Sequence, residues 1–424
     1  MKNFFDKIFF RSNNLDTFSR DIKKLTINTP VIKIFETINN YSSDSEIRYV
    51  GGCIRKIINK ENVDDIDLAT NIEPKQVCEA LRKSNIDFYE TGIEHGTVTA
   101  VINKYKFEIT SLREDISTDG RHAMVKFSKS WKDDASRRDF TINSIYSDCE
   151  GNLFDPYNGM NDLKNGNIKF IGNADIRIQE DYLRILRYIR FYLGYSKTKH
   201  NSETISILKK NIDGISKLSK ERLLIELKKI ITFDLLKKLS KDKISLELLT
   251  IIFSELKDFS IFFNPKSHVQ TVLKEADFIF LLSLMIIDGT DNVDYFLYKF
   301  NISKNDKKRI KIIDDFYKNK INSKIFLAEN MNKIFYYNGK QAVIDILNFR
   351  IIKSKKLELN LIELCKTFKN KLIPEMPIKA NILMAKYKIP EGKMLGKKLK
   401  IIEREWVNNN FKISDKEVEN IVKD

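Results

Sequence analysis

The chain has 424 residues, 42% of them hydrophobic, and a formal net charge of +16. The hydrophobic content excludes general disorder, and the length predicts several structural units rather than one core. The excess of Lys and Arg favours a polyanionic partner, with RNA as the leading candidate, although a chain simply rich in Lys would show the same excess.

Cysteine spacing and the lengths of the apolar runs argue against a zinc-binding, disulfide-linked or membrane-spanning protein. The cysteines are scattered without C-x-x-C spacing, which indicates neither a zinc site nor a disulfide framework: Cys53, Cys78, Cys149 and Cys365. The longest apolar run, Phe278 to Ile287, is far shorter than the roughly 20 residues that cross a bilayer. No small-residue cleavage site follows the first residues. We therefore expect a soluble, cytoplasmic protein.

The predicted elements begin with a helical pattern over residues 1 to about 45, which carries no recognisable chemistry. Short apolar strands follow at Arg48 to Val50, Asp65 to Ala69, Gly96 to Ile102 and Lys106 to Thr110. The last two are predicted to form a hairpin across Asn103 and Lys104. A helix is predicted from Pro74 to Lys83, with Pro in its first turn. Together these elements predict a small mixed sheet backed by helices.

A glycine pair, Gly51 and Gly52, lies between the first strand and a short predicted helix from Ile54 to Asn59. Glycines leave backbone N–H groups unobstructed, and the start of a helix favours phosphate oxygens. Arg55 would add a cation one turn into this helix. Taken alone, however, a glycine pair before a helix is most often only a turn.

Two carboxylates, Asp65 and Asp67, alternate with the apolar residues Ile66 and Leu68. On a strand both carboxylates would project from one face, where their oxygens could hold Mg²⁺. Glu108 alternates in the same way on the hairpin and could join them, although a surface charge on a strand is an equally good interpretation. A phosphate cradle close to an Asp pair indicates nucleotidyl transfer by the two-metal route.

A polar stretch from Leu112 to Phe127 contains a turn signal at Asp119 and Gly120 and is predicted to be a mobile loop. It leads to the sequence DASRRDFTINSI, Asp134 to Ile145. Here Arg137, Arg138 and Asp139 could hold a triphosphate and a ribose hydroxyl, because Arg matches phosphate oxygens and Asp accepts from a hydroxyl.

Helical periodicity takes over after Phe170. Residues 179–193 are predicted to form one helix, with Asp181, Arg184 and Tyr188 on a face of their own. A solvated ion pair is the simpler interpretation of Asp181 and Arg184. A further helix is predicted from Ser219 to Ile231, and residues 233–424 continue as helices with basic stretches and no catalytic constellation.

These motifs, in order, resemble the class II tRNA nucleotidyltransferases, the bacterial CCA-adding enzymes of the tRNA nucleotidyltransferase/poly(A) polymerase family. The resemblance covers roughly residues 45 to 235. It rests on GGCIRK with DDIDLAT, TGIEHGTVTAVI, EITSLREDISTDGR, RRDFTINSI, FDPYNG and QEDYLRILRYIRF. Lys56 departs from the pattern, since the family often has Asp there, and any cap or supporting role of that Asp is lost.

The resemblance implies an α+β fold: a polymerase β-like head with a five-stranded sheet, followed by an all-helical neck, body and tail. The corresponding domains are a catalytic head over 1–150, a neck over 151–235, and a tRNA-binding body and tail over 236–424. It implies addition of C, C and A to the 3′ end of tRNA from CTP and ATP. A Mg²⁺ cofactor is expected, and the oligomeric state is left open.

The resemblance also assigns residues. Asp65 and Asp67 become the metal ligands. Strand alternation, rather than the resemblance, adds Glu108 as a third candidate catalytic residue. The candidate nucleotide-binding residues are Gly51, Gly52, Arg55, Arg138, Asp139, Asn143, Asp181, Arg184 and Arg187, and the flexible loop is assigned to Asp119, Gly120 and Arg121.

Hydrogen-bonding patterns explain why Asp181 and Arg184 would suit the incoming base. Cytosine and adenine each present an amino donor beside a ring-nitrogen acceptor, whereas uracil and guanine present the reverse. An acceptor from Asp181 and a donor from Arg184 therefore fit C and A. The loop around Gly120 is expected to reshape this pocket between the smaller and the larger base.

Three other interpretations remain: a bacterial poly(A) polymerase, an enzyme that adds only CC, and an inactive RNA-binding module. The TGIEHGTVTAVI motif and the absence of an evident basic tail after Trp406 disfavour the polymerase. The D-G-R loop disfavours a CC-adding enzyme, and the intact Asp65, Asp67, Asp181 and Arg184 disfavour an inactive module.

Overall fold

A computed structural model describes residues 17–118, 123–318, 328–354 and 358–423, with the backbone alone for residues 91, 115–118 and 123–125. The chain divides into two compact units, one ending at Glu226 and the other beginning at Leu227. The first unit combines a sheet with helices, and the described residues of the second are helical. The predicted α+β class is confirmed.

The first unit is built on a seven-stranded mixed sheet with the order β3-β4-β5-β2-β1-β8-β9. Its strands are β1 (Ile47–Val50), β2 (Ile66–Thr70), β3 (Asp87–Gly92), β4 (Thr97–Ile102), β5 (Tyr105–Ser111), β8 (Tyr146–Ser147) and β9 (Leu153–Phe154). Strands β2 and β5 are parallel, and the other neighbours are antiparallel. The expected five strands were too few, because the two-residue strands β8 and β9 extend the sheet beyond β1.

The stretch predicted as one polar loop instead contains two strands, β6 (Arg113–Thr118) and β7 (Ala123–Phe127). They pair antiparallel as a separate small sheet, with Arg113 opposite Phe127. Strand β3 was also missed, since its sequence DFYETG has no clear apolar alternation. Backbone pairing with a neighbour stabilises such strands, and residue pattern alone does not reveal it.

The structure describes ten α-helices between residues 17 and 230, and the last of them extends past Glu226 into the second unit. They are α1 (17–28), α2 (Val31–Asn39), α3 (Gly52–Ile58), α4 (Pro74–Lys83), α5 (Trp131–Ser136), α6 (Gly159–Asn165), α7 (Ala174–Glu180), α8 (Leu183–Tyr195), α9 (Ser202–Lys210) and α10 (Lys220–Ile230). The predicted α4 starts at Pro74 because a capping box between Glu73 and Gln76 satisfies its first donors. A core of fully buried side chains, among them Phe35, Leu68 and Phe107, joins the sheet to these helices.

The second unit continues with α11 (Phe233–Leu239), α12 (Lys243–Ile252), α13 (Ser267–Glu275), α14 (Phe278–Ile286), α15 (Asn292–Lys299), α16 (Lys304–Lys318), α17 (Ala328–Lys353), α18 (Leu359–Asn370), α19 (Ala380–Tyr387), α20 (Lys393–Asn408) and α21 (Asp415–Lys423). Gly339, with a φ of 83°, interrupts α17. The longest apolar run forms α14, a buried core helix. Across the described ranges, no helix is both long and apolar enough to span a bilayer.

Candidate active site

The parallel pairing of β2 with β5 places Asp67 directly opposite Glu108. Their neighbours Leu68 and Phe107 are fully buried on the other face, so the alternation turns Asp67 and Glu108 toward the same side of the sheet. Asp65 lies just before β2, so it adjoins the strand rather than belonging to it. Asp67 is half-buried, whereas Asp65 and Glu108 are exposed.

Burial and neighbouring charge both raise the pKa of the Asp67 carboxyl above its usual value. Desolvation is the largest cause, and the negative charges of Glu108 and Asp65 add to it, while Arg138 and Arg55 oppose it. Such crowding of carboxylates is relieved by a bound cation. Within the described ranges no set of three or more His, Cys, Asp or Glu side chains forms a metal-binding group. The donors present fit Mg²⁺, which commonly takes one or two carboxylates together with water and substrate phosphates.

The glycine pair lies between this acidic face and a cation. Gly51 has a φ of 68° and precedes α3, a conformation that favours glycine. A Cβ atom on Gly51 would lie 3.5 Å from Nη1 of Arg138, and one on Gly52 would lie 3.6 Å from Oδ2 of Asp67. Arg138 and Asp67 therefore both lie close to this glycine turn, one beside Gly51 and the other beside Gly52.

Asp134 anchors both arginines of the RRD segment, which we define as residues 137–139. Its Oδ1 accepts hydrogen bonds from Arg137 (Nε, 2.9 Å; Nη2, 2.6 Å), and its Oδ2 accepts from Arg138 (Nη2, 3.0 Å) and from the Tyr146 hydroxyl (2.6 Å). Asp134 is only 1% exposed. Burial would raise the pKa of its carboxyl, but the two Arg charges and the hydrogen bonds outweigh burial and hold that pKa well below its usual value.

Four of the predicted nucleotide-binding residues contact one another. Asp139 accepts from Asn143 Nδ2 at 2.7 Å and from Arg187 Nε at 2.5 Å, and Asn143 in turn accepts from Arg55. Arg55 is 7% exposed and lies over the Phe191 ring, 4.7 Å from its centroid. Burial opposes ionisation of Asp139, but Arg187 and these hydrogen bonds keep its pKa low. Both Asp139 oxygens are thus engaged by protein groups.

The predicted single helix over 179–193 was wrong, because the helix breaks at Asp181. Helix α7 ends at Glu180, Asp181 has an extended backbone (φ −153°, ψ 102°), and α8 begins at Leu183. Oδ1 of Asp181 accepts from the Leu183 N–H at 3.1 Å and so satisfies one of the free N–H groups at the start of α8. A side chain that prefers capping to helix interiors explains the break. We call residues 180–184 the α7–α8 turn.

Asp181 and Arg184 do not form the ion pair that their spacing allowed. Oδ2 of Asp181 accepts from Nη2 of Arg222 in α10 at 2.8 Å. Nη1 of Arg184 donates to Oε2 of Glu180 at 2.7 Å and to the main-chain oxygen of Arg177 at 2.5 Å. The simpler interpretation of a solvated i, i+3 pair is therefore wrong, and each polar side chain has a separate partner.

Sequence reasoning missed several residues that organise this site: Asp134, Tyr146, Arg177, Glu180 and Arg222. Spacing gave a usable signal for Asp134, which precedes Arg137 and Arg138 by three and four residues, and for Glu180, which lies three residues after Arg177 and four before Arg184. The partners of Arg222 and Tyr146 are distant in sequence. The flexible-loop residues Asp119, Gly120 and Arg121 lie outside the described residues.

Two family models match the chain. The Poly A polymerase head domain matches residues 47–169, which include the carboxylates, the glycine pair and the RRD segment. The tRNA nucleotidyltransferase domain 2 matches residues 270–421 in the second unit.

Proteins similar to this chain in sequence or fold include CCA-adding enzymes. The chain is 30% identical to the CCA-adding enzyme of Streptococcus uberis over 396 residues, covering 88% of this chain and 94% of the relative. It is 45% identical to the mitochondrial CCA tRNA nucleotidyltransferase 1 of Mus musculus, but over 192 residues that span only 45% of this chain and 44% of the relative. Its fold is similar to the crystal structure of the Bacillus stearothermophilus CCA-adding enzyme in complex with CTP, with a TM-score of 0.64 at 20% identity, covering 89% and 92% of the two chains.

Proposed function

The chain belongs to the family of CCA-adding enzymes, and from this premise we propose that it adds C, C and A to the 3′ end of tRNA without a nucleic-acid template. CTP and ATP are the proposed substrates. The tRNA 3′-hydroxyl attacks the α-phosphate of the bound nucleotide, the bond between the α- and β-phosphates breaks, and pyrophosphate leaves. A cytoplasmic location remains part of the prediction.

The observation that carries this proposal is the match to the Streptococcus uberis enzyme over 94% of that relative's length. It extends through both compact units, whereas the Poly A polymerase head model covers residues 47–169 alone. A protein that shared only the head domain with CCA-adding enzymes would not be expected to match such an enzyme over the helical second unit as well. The extent of the match therefore favours CCA addition over the other activities that share this head.

The acidic face supports a role for Asp65 and Asp67 as ligands of Mg²⁺, with Glu108 beside them. Burial is the main cause of the raised pKa of Asp67, and the negative charges of Glu108 and Asp65 add to it; a divalent cation at this face would oppose both effects. When bound, such metal ions supply Lewis-acid stabilisation of the attacking and leaving oxygens in nucleotidyl transfer. Glu108, paired in register with Asp67, holds a carboxylate toward the same site.

The nucleotide would bind where the glycine turn at Gly51 lies next to Arg138 of the RRD segment. Arg138, which adjoins Gly51, supplies a cation for the phosphates, and its anchor Asp134 fixes the direction of the guanidinium. The role of Asp139 in ribose recognition would be indirect, because both of its oxygens already accept hydrogen bonds from Asn143 and Arg187. Asp139 would act by positioning those two side chains. Arg55 and Asn143 support that arrangement from within the core.

Base selection is proposed for Asp181 and Arg184 in the α7–α8 turn. An acceptor next to a donor complements the edges of cytosine and adenine and opposes those of uracil and guanine. Loop residues Asp119 to Arg121 are proposed to enlarge the pocket for the final A. Replacing Asp119 or Arg121 with Ala should then leave two C residues added and stall the product before A.

A tRNA transcript lacking its 3′ CCA tests the proposal. It is incubated with Mg²⁺ and with CTP alone, ATP alone, or both, and product lengths are resolved on a sequencing gel. We expect two added residues with CTP alone and three with both nucleotides. A long ladder with ATP alone would instead identify a poly(A) polymerase, and a product that stays two residues longer with both nucleotides would identify a CC-adding enzyme. No extension under any condition would contradict the proposal.

A further inference from the structure

Arg177, in the last turn of α7, connects two parts of the site that are distant in sequence. Its Nη2 donates to the main-chain oxygen of Arg138 at 2.8 Å and also contacts the main-chain oxygen of Arg137. The Arg177 side chain is only 13% exposed. A guanidinium has five donors in one plane, so it can hold two consecutive carbonyls and still engage a carboxylate.

That carboxylate belongs to Glu180, whose Oε2 accepts from Nη1 of both Arg177 and Arg184. Arg184 also donates to the main-chain oxygen of Arg177 at 2.5 Å. The contacts therefore run without interruption from the carbonyls of the RRD segment through Arg177 and Glu180 to Arg184. One end presents Arg138 beside Gly51, and the other end is the α7–α8 turn.

We propose that Arg177 is a positioning residue that sets the separation between the phosphate-binding RRD segment and the α7–α8 turn that selects the base. The inference rests on the proposed function, because it assigns those tasks to the two ends. Displacing a base-contacting group from a reacting centre by about 1 Å can lower a rate by about a hundredfold. Losing the connection through Arg177 would therefore reduce the rate and the selectivity together.

Other contacts keep the RRD segment folded when Arg177 is changed. Asp134 holds the side chains of Arg137 and Arg138, and Asp139 accepts from Arg187 while its main-chain oxygen accepts from the Ile171 N–H at 3.0 Å. These contacts do not involve Glu180 or Arg184. Substitution of Arg177 is thus expected to shift the α7–α8 turn relative to the RRD segment rather than to unfold either of them.

The test compares Arg177→Met and Arg177→Lys with the wild-type protein. Addition of the first nucleotide to tRNA lacking CCA is measured with CTP and with UTP, and the ratio of the two kcat/KM values gives the selectivity. We expect Arg177→Met to lower this ratio about tenfold or more, mainly through kcat, with little change in the KM for tRNA. The selectivity of Arg177→Lys should lie between those of the wild type and Arg177→Met, because an ammonium group can pair with Glu180 but cannot reach both carbonyls.

Lys210→Met is the matched control. Lys210 forms an ion pair with Asp175 of the same helix α7 at 2.8 Å, on the exposed side of the unit. Its substitution removes an ion pair from α7 without touching the RRD segment, and selectivity should stay at the wild-type value. Thermal unfolding of each variant shows which of them are folded, and Arg177→Lys decides the matter if Arg177→Met does not fold.

A folded Arg177→Met variant with wild-type selectivity would overturn this inference, as would an equal loss of CTP and UTP addition. If both variants were altered and Lys210→Met were altered equally, α7 would be a general support and the inference would also fail. A wild-type protein that adds neither C nor A overturns the proposed function and this inference with it, whereas an active wild type with unaltered Arg177 variants overturns the inference alone.

Discussion

Asp67 occupies the most constrained position among the carboxylates of the acidic face, because it is half-buried and lies opposite Glu108. We predict that Asp67→Asn or Asp65→Asn abolishes addition of both C and A while leaving tRNA affinity nearly unchanged. An amide lacks the charge that holds Mg²⁺ but alters no basic surface. Turnover and tRNA Kd are measured side by side. Near-normal turnover in either variant would refute the assignment of these two residues as ligands.

The role of Asp134 as the buried partner of Arg137 and Arg138 is tested by measuring stability rather than activity. Asp134→Asn leaves Arg137 and Arg138 without their buried counter-charge, and breaking such a pair from one side typically costs about 3–5 kcal/mol. We expect a lower Tm and a smaller free energy of unfolding in urea. Asp175→Asn, which removes a carboxylate paired with the exposed Lys210, should leave both the Tm and the free energy of unfolding close to the wild-type values.

The pH dependence of stability follows from the lowered pKa values of Asp134 and Asp139. In the unfolded chain an Asp carboxyl titrates near about 3.9. The stabilisation from both groups is therefore fully present above that pH and is lost as the pH falls toward their folded pKa values. Urea unfolding of the wild type at pH 6, 5, 4 and 3.5 should show a decline that steepens at the acid end. In Asp134→Asn this acid-dependent decline should be smaller, and an equal decline would argue against the assignment.

The side chains that face the core could be predicted from the sequence far better than the partners of polar side chains. The alternation around Asp65 and Asp67 correctly indicated which side chains face the core, because strand periodicity is a local property. The role of Arg222 could not be predicted, because an Arg on a helix has many partners within reach and its partner Asp181 is 41 residues away in sequence. Which partner it contacts depends on how helices pack, and that is set by residues elsewhere in the chain.

At the scale of elements, the helices and strands with strong apolar periodicity were predicted well. Helix α4 and the β4–β5 hairpin have the expected bounds to within a residue. The break between α7 and α8 was missed because the apolar residues keep a helical spacing on both sides of it. A local hydrogen bond between the Asp181 side chain and the start of α8 accompanies the break, and hydrophobic pattern does not register such a bond.

The packing of the α7–α8 turn depends on a glycine. A Cβ atom on Gly214 would lie 2.0 Å from Cε1 of Tyr182, the residue that follows Asp181. Gly214→Ala must therefore displace the Tyr182 ring, and such overpacking typically costs about 1–3 kcal/mol. We predict a lower Tm together with reduced selectivity for CTP over UTP.

Gly194→Ala in α8 provides the comparison for that prediction. Apart from its chain neighbours and the nearby backbone of α8, no atom of the described residues lies within 4 Å of the position that its Cβ would occupy. Because Ala favours a helix over Gly by about 1 kcal/mol, this variant should be as stable as the wild type or more stable. If Gly214→Ala behaved like Gly194→Ala in both Tm and selectivity, the contact with Tyr182 would have no bearing on the turn.

At the scale of the whole molecule, the basic charge is tested best by point substitution. Deleting residues 385–424 would remove Trp406, which packs against Tyr336 with ring centroids 5.3 Å apart, and would expose the core around Leu383. A deletion would thus confound tRNA binding with folding. Lys393, Lys397 and Lys400 on α20 are exposed, whereas Lys398 is tied to the main-chain oxygen of Ile421 at 2.8 Å.

We predict that replacing Lys393, Lys397 and Lys400 together with Gln raises the KM for tRNA and leaves the KM for CTP and ATP unchanged. Each tRNA phosphate that is no longer neutralised should reduce the slope of log Kd against log salt by about one. Binding is measured by filter retention between 50 and 300 mM salt. Lys398→Gln is the control within the same helix. An unchanged tRNA KM and salt slope in the triple variant would contradict a role for this surface.

The partners of Asp181 and Arg184 have a consequence for how errors are avoided. Under the proposed base selection, a base that approaches the α7–α8 turn would meet polar atoms already hydrogen-bonded to Arg222 and Glu180. Cytosine or adenine can replace those hydrogen bonds one for one, whereas uracil or guanine would break them and form none in return. A base must therefore compensate for the loss of these internal hydrogen bonds before it can bind. Weakening them, for example by Arg222→Met, should lower the selectivity for CTP over UTP and not only the rate.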